Sequence, residues 1–215
     1  MPDIRESTGK YTASAPHVEE RLHYLVERLR TAYNSIGHSS GRPYIYFVYP
    51  PEQERVVRRL ADEHLGSGGG LCFHHVDLLD VTIEALADQE ARRQDLLDDP
   101  SRGAGAAESI LRLWARAVTR VIAEALAACG PTESPSVPGS RPVVVLRGLA
   151  ALHPLGNPTT LMEAVAEQEL RDPGSGRAIP VVLLVPGLRP SGSSRTYLFL
   201  GREDLSLQFY RGEEV

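Results

Sequence analysis

Ile179-Pro180-Val181-Val182-Leu183-Leu184-Val185 carries no charged or polar side chain at any position. A strand apolar toward both sides needs cover on both sides, so this run is expected at the centre of a sheet. Pro186-Gly187 reads as its stop. Upstream, Pro142-Val143-Val144-Val145-Leu146 is another strand, with three consecutive valines. Tyr44-Ile45-Tyr46-Phe47-Val48-Tyr49 is an aromatic and β-branched strand, and Leu71 to Val76 is another.

Between these runs the apolar period changes from two to nearly four. Val18, Leu22, Leu25, Leu29, Ala32 and Ile36 line one stripe of a helix that opens at Pro16 and stops at Gly37-His38-Ser39-Ser40-Gly41. Pro50-Pro51 opens a helix through Leu65, with Val56, Val57, Leu60 and Ala61 inward, and Gly66 to Gly70 is a flexible turn. A helix from Leu78 to Leu97 ends at Asp98-Asp99-Pro100-Ser101. Another runs from Ala106 to Ala128, with Ile110, Leu113, Trp114, Ala117, Val121 and Ala125 inward. Residues 130–141, rich in Pro, Ser and Gly, form a loop. Asn157-Pro158 caps a helix that ends near Arg171. Thr196 to Leu200 and Leu205 to Tyr210 form a closing antiparallel hairpin.

Strands alternating with helices predict an α/β fold: a mostly parallel central sheet with helices on both faces, in a Rossmann-like or P-loop-NTPase-like layout. An N-terminal amphipathic helix precedes the sheet and the antiparallel hairpin follows it. Residues 1–15 read as a flexible tail and 16–215 as one domain.

Composition narrows the chemistry. The 215 residues are 42% hydrophobic and 24% charged, which excludes a disordered or fibrous chain. The net charge of −5 gives no global field toward DNA or an anionic membrane. Lys10 is the single lysine and lies in the tail, so mechanisms built on a lysine within the fold are excluded. Cys72 and Cys129 form no CxxC pair, which points to the cytoplasm rather than to a disulfide framework. No apolar run approaches a membrane span, and residues 1–15 lack an apolar signal core.

The motif tests are negative in turn. A P-loop places a lysine against the β/γ-phosphates, and neither that motif nor G-x-G-x-x-G occurs. The glycine cluster at 66–70 precedes a strand, the wrong end for a phosphate. Gly37-His38-Ser39-Ser40-Gly41 matches G-x-S-x-G but leaves a helix and enters a strand, the reverse of a nucleophile elbow. His74 and His75 are adjacent in a strand and point to opposite faces. His17 and His23 are about 120° apart on their helix, and His153 stands alone in a loop. No metal site and no cofactor is expected from this pattern. Asp77 lacks the lysine partner of a common nuclease site and reads as a helix cap.

Two features retain a functional alternative. Tyr49, Asp77, Arg147 and Arg189 fall at the carboxyl ends of strands. There the arginines could clasp a phosphate or carboxylate in a small α/β enzyme or ligand binder, or pair with a neighbouring Asp or Glu. Arg112, Arg116 and Arg120 recur every four residues and form a basic strip. The strip is a solvated face, a dock for an acidic partner, or a DNA-backbone contact.

The order of four stretches resembles the BrxB family of BREX phage-defence systems, as a divergent member. The first is Tyr44-Ile45-Tyr46-Phe47-Val48-Tyr49-Pro50-Pro51-Glu52-Gln53-Glu54 with Val57-Arg58. The second is Val76-Asp77-Leu78-Leu79. The third is Val143-Val144-Val145-Leu146-Arg147-Gly148 with His153-Pro154-Leu155 and Leu161-Met162. The fourth is Pro180 to Gly187 with Leu198-Phe199-Leu200-Gly201 and Phe209-Tyr210-Arg211. Gly156-Asn157-Pro158-Thr159 stands where the family usually has an arginine, and Gly212-Glu213 replaces a short apolar tail. The resemblance implies a non-catalytic adaptor in an antiviral complex. It also implies three partners: a DNA methyltransferase, a large ATPase and an alkaline-phosphatase-like protein. The amphipathic first helix packs on the sheet or pairs with a second copy.

Overall fold

The computed structural model describes residues 15–36, 43–87, 99, 103–128, 140–154, 156–167, 170–172, 176–190 and 195–215. Strands β1 (Tyr44–Tyr49), β2 (Leu71–Asp77), β3 (Arg141–Arg147) and β4 (Val181–Leu188) pair in parallel in the spatial order β2-β3-β4-β1. Helices α1 (Ala15–Ala32), α2 (Glu54–His64), α3 (Leu78–Leu86), α4 (Gly103–Ala128) and α5 (Pro158–Ala166) surround them. The α/β layout read from the sequence is the one observed. β4 lies between β3 and β1, and its first seven residues are buried. Each Val or Leu fully buried there stabilises the sheet by about 1.5–3 kcal/mol.

The two-residue strand period divides the core. Ile45, Phe47, Tyr49, Val143, Val145, Val182 and Leu184 meet Val18, Leu22, Leu25 and Leu29 of α1 and Val57, Leu60 and Ala61 of α2. Tyr46, Val48, Val144, Leu146, Val181, Leu183 and Val185 meet Val81 of α3, Trp114, Val118 and Ile122 of α4, and Leu161, Met162 and Val165 of α5. The α1 stripe is the expected one from Val18 to Leu29; the α-helix ends at Ala32 rather than at Gly37, and a short 3-10 turn carries Ile36 into the same core. The α4 stripe is rotated: Trp114, Ala115, Ala117, Val118 and Ile122 are buried, while Ile110 and Val121 are only partly covered. α4 packs against α3, α5 and β2 together, so its covered arc follows three neighbours instead of one sheet face.

Other boundaries differ for identifiable reasons. Pro186-Gly187 continues β4. Pro186 lies opposite Tyr49, and its carbonyl accepts from the Leu200 amide at 2.9 Å. The missing Pro186 amide costs no bond to β3, because that ladder ends at Leu146 opposite Leu183. α5 ends at Ala166 rather than near Arg171, since Arg171 bridges Ala178 in the turn that feeds β4. The hairpin forms from β5 (Thr196–Phe199) and β6 (Ser206–Gln208), and β5 also pairs antiparallel with the end of β4.

The last strand, β7 (Gly212–Glu214), was not expected; it pairs in parallel with β1 at the sheet edge. Gly212 is needed there, because a Cβ would sit 2.6 Å from Tyr46 Cε2 and 2.8 Å from the Tyr44 carbonyl oxygen. α1 then fastens the strand. Arg28 donates to both carboxylate oxygens of Glu213, at 2.9 and 2.6 Å. Arg21 lies 4.3 Å over the Phe47 ring and donates to the Val48 and Val215 carbonyl oxygens.

Among the described residues no helix is long and apolar enough to cross a membrane. Lys10, the Gly37–Gly41 motif, residues 88–97, the stop at Asp98 and Pro100-Ser101, Cys129, most of the 130–141 loop and Leu155 lie outside the described residues.

Candidate functional site

In an open parallel sheet the carboxyl strand ends, facing helix N-termini, are the usual place for ligands. Asp77 stands there as the last residue of β2 and caps α3, its Oδ1 accepting from the Leu79 amide at 3.1 Å. Its Oδ2 pairs with Arg58 Nη2 of α2. Arg147 ends β3 directly opposite Asp77, with its Nε 3.5 Å from the same oxygen. Arg147 Nη1 also donates to Asp62 Oδ1 at 2.6 Å.

The chain of contacts continues along α2. Arg58 Nε donates to Glu54 Oε1 at 3.0 Å, and Tyr49 at the end of β1 donates its hydroxyl to Glu54 Oε2 at 2.5 Å. Tyr49, Glu54, Arg58, Asp77, Arg147 and Asp62 thus form one network across the ends of three strands. Gly148 lets the backbone close over it: φ is +69°, and a Cβ would lie 2.4 Å from Asp77 Oδ1. Burial lowers the Arg58 pKa, but Asp77 and Glu54 outweigh burial and hold the group above its ordinary value. Burial, reinforced by Glu54, raises the Tyr49 phenol far above its ordinary range, so it stays a proton donor.

Arg189 serves a different part of the sheet. It pairs with Glu214 of β7 and lies 5.3 Å over the Phe209 ring. Both edge arginines therefore take neighbouring carboxylates, the second of the two roles open to them. Arg112, Arg116 and Arg120 are exposed on α4, and Arg120 Nε is 3.8 Å from Glu124 Oε1. The strip is a surface feature of α4.

Burial raises the Glu214 carboxyl above its ordinary value of 4.5, although Arg189 and Arg21 pull it down. A carboxyl raised by folding contributes most stability while protonated. That contribution is complete below the ordinary value and is lost as pH rises through the raised one. The stability of the chain relative to its Glu214→Gln variant is therefore expected to fall from about pH 4 to about pH 7. Urea unfolding at both values measures it; a rise would show that the arginines outweigh burial.

The histidine pair behaves as expected. His75 Nε2 bonds the Leu65 carbonyl oxygen on the α2 side at 2.8 Å, while His74 shares the strand parity of Val76, which faces the other core. Burial, then His75, lowers the His74 pKa.

Glu54, Arg58 and Asp62 were not read as site residues from the sequence. Their spacing of four, acid then base then acid, was the available signal for one charged helix row. No protein-family model, curated protein or solved structure matches this chain.

Proposed function

We propose that this chain is a non-catalytic assembly subunit of a BREX-type antiviral complex, working in the cytoplasm beside a DNA methyltransferase and a large ATPase. The observation that carries the reading is the use of the strand-end charges. Arg147 is committed to Asp62 and Asp77, Arg58 to Asp77 and Glu54, and Arg189 to Glu214. A phosphate would have to displace protein carboxylates to reach them, which costs the desolvation of whichever partner is left behind. The four stretches that resemble BrxB fall in chain order on β1 with α2, β2 with α3, β3 with α5, and β4 through the turn after β6, with α4 outside them.

The surface supplies contacts of the kind an adaptor uses. Leu79 and Ile83 lie one turn apart on α3 and are exposed, and the α4 arginine strip is exposed.

A pull-down from the native operon is expected to recover the methyltransferase and the ATPase with this chain. The double variant Leu79→Asp, Ile83→Asp is expected to lose at least one of them while keeping its circular-dichroism spectrum. Recovery of the chain alone would count against the reading. A thermal-shift screen with nucleotides and phosphorylated metabolites separates the alternative of a small-ligand site. A stabilising compound whose effect disappears when Arg147 and Arg189 become alanine would favour that alternative.

A further inference from the structure

Glu19 and His23 are four residues apart on α1 and so share one helix face. His64 is the last residue of α2, which packs beside α1 on the same side of the sheet. The fold brings the three together. His64 Nε2 is 3.4 Å from Glu19 Oε1, and the imidazoles of His23 and His64 have centroids 4.5 Å apart, inclined by 72°. One carboxylate oxygen and one ring nitrogen from each histidine all lie within 4.8 Å of one another. His64 Nε2 is shielded from solvent and has no hydrogen-bond partner among the described residues.

We infer that Glu19, His23 and His64 bind a divalent transition-metal ion, with Zn²⁺ the best match. Two imidazole nitrogens and one carboxylate oxygen are a ligand set for zinc and its first-row neighbours. Magnesium and calcium prefer all-oxygen surroundings, so the histidines select against them. Bonds of about 2.0–2.2 Å around a tetrahedral ion set ligand atoms roughly 3.4 Å apart. The His64–Glu19 edge already has that length.

The remaining edges close by rotation of the exposed Glu19 and His23 side chains, while the less exposed His64 is the fixed member. His64 also stands in the last turn of α2, where the unpaired carbonyl groups favour positive charge. Three protein ligands leave a fourth position for water at the surface. The bound ion would tie the N-terminal helix to the first helix that follows the sheet's opening strand.

The test uses the full untagged chain, stripped with a chelator and titrated with Co²⁺ and then Zn²⁺. One Co²⁺ per chain is expected, with the visible absorption of a four-coordinate site, displaced by Zn²⁺ and retained in excess Mg²⁺. Loss of supporting groups around metal ligands commonly costs 10–100-fold in affinity, so His23→Ala and His64→Ala are each expected to weaken Zn²⁺ binding by about tenfold or more. His17→Ala, exposed on the same helix but about 120° away, is expected to bind as the parent does.

Should His64→Ala fail to fold, Glu19→Gln and His23→Asn carry the same expectation at exposed positions. Zn²⁺ should raise the melting temperature of the parent chain and leave that of the His23→Asn, Glu19→Gln variant unchanged. Binding that does not saturate at one ion per chain, or equal losses in the His17 and His23 variants, would overturn the assignment.

Discussion

Asp77→Ala is expected to destabilise the fold by about 3 kcal/mol, most of it from loss of the carboxylate that Arg58 and Arg147 share. The Asp77 side chain is 10% exposed, against 34% for Arg58 and 23% for Arg147. Removing it strips the α3 cap, worth about 1 kcal/mol. It also leaves two largely covered guanidinium groups facing each other, an effect that solvent screening trims to about 2 kcal/mol. Asp77→Asn keeps an acceptor for the Leu79 amide and loses only the charge, so about half the effect is expected. Urea unfolding measures both variants.

A typical domain has about 5–15 kcal/mol in hand, so the alanine variant would show a clear fall in midpoint. The result bears on function as well as on stability. If Asp77 and Arg147 chiefly hold the strand ends together, their loss appears in unfolding and in no ligand titration. An Asp77→Ala chain as stable as the parent would remove the structural account of the network and return the strand ends to the ligand reading.

Tyr46→Ala is expected to cost about 3–5 kcal/mol, in the range of buried aromatic truncations. Its ring is fully buried in β1 and lies 5.2 Å from Phe209 and 6.1 Å from Tyr197, centroid to centroid. Its hydroxyl donates to the Tyr210 carbonyl oxygen at 3.2 Å. The same ring is the surface on which Gly212 of β7 rests. Truncation therefore loosens the end of the chain from the sheet. Amides of 206–214 should exchange faster in the variant than those of β3 and β4, as measured by hydrogen exchange. Tyr46→Phe keeps the ring and is expected to cost about 1 kcal/mol, with no such selective exchange. Uniform protection in Tyr46→Ala would show that β7 is held without the Tyr46 ring, by its ladder to β1 and by Arg21, Arg28 and Arg189.

Much of the architecture was written in local pattern. β1 occupies the six residues whose aromatic and β-branched character announced it, Asp77 caps α3, and Asn157-Pro158 opens α5 with a full capping box. These features depend on neighbours one to four residues away, which the sequence displays directly. β7 was hidden for the opposite reason. Gly212-Glu213-Glu214 has no strand character of its own, and it exists because Tyr44 and Tyr46 offer it a ladder and α1 offers it two arginines.

The same distinction governs the candidate sites. The sequence by itself determined a parallel α/β sheet, the strand from Ile179 to Val185 as one buried on both faces, and that Asp77, Arg147 and Arg189 stand at strand ends. Only the tertiary structure decided what those groups meet. The order β2-β3-β4-β1-β7 sets Asp77 against Arg147, α2 lays Glu54, Arg58 and Asp62 over them, and α1 beside α2 carries Glu19 and His23 to His64. Periodicity is a property of a few consecutive residues. Which charge or ligand atom faces which across tens of residues follows from strand order and helix packing, and no local spacing encodes that.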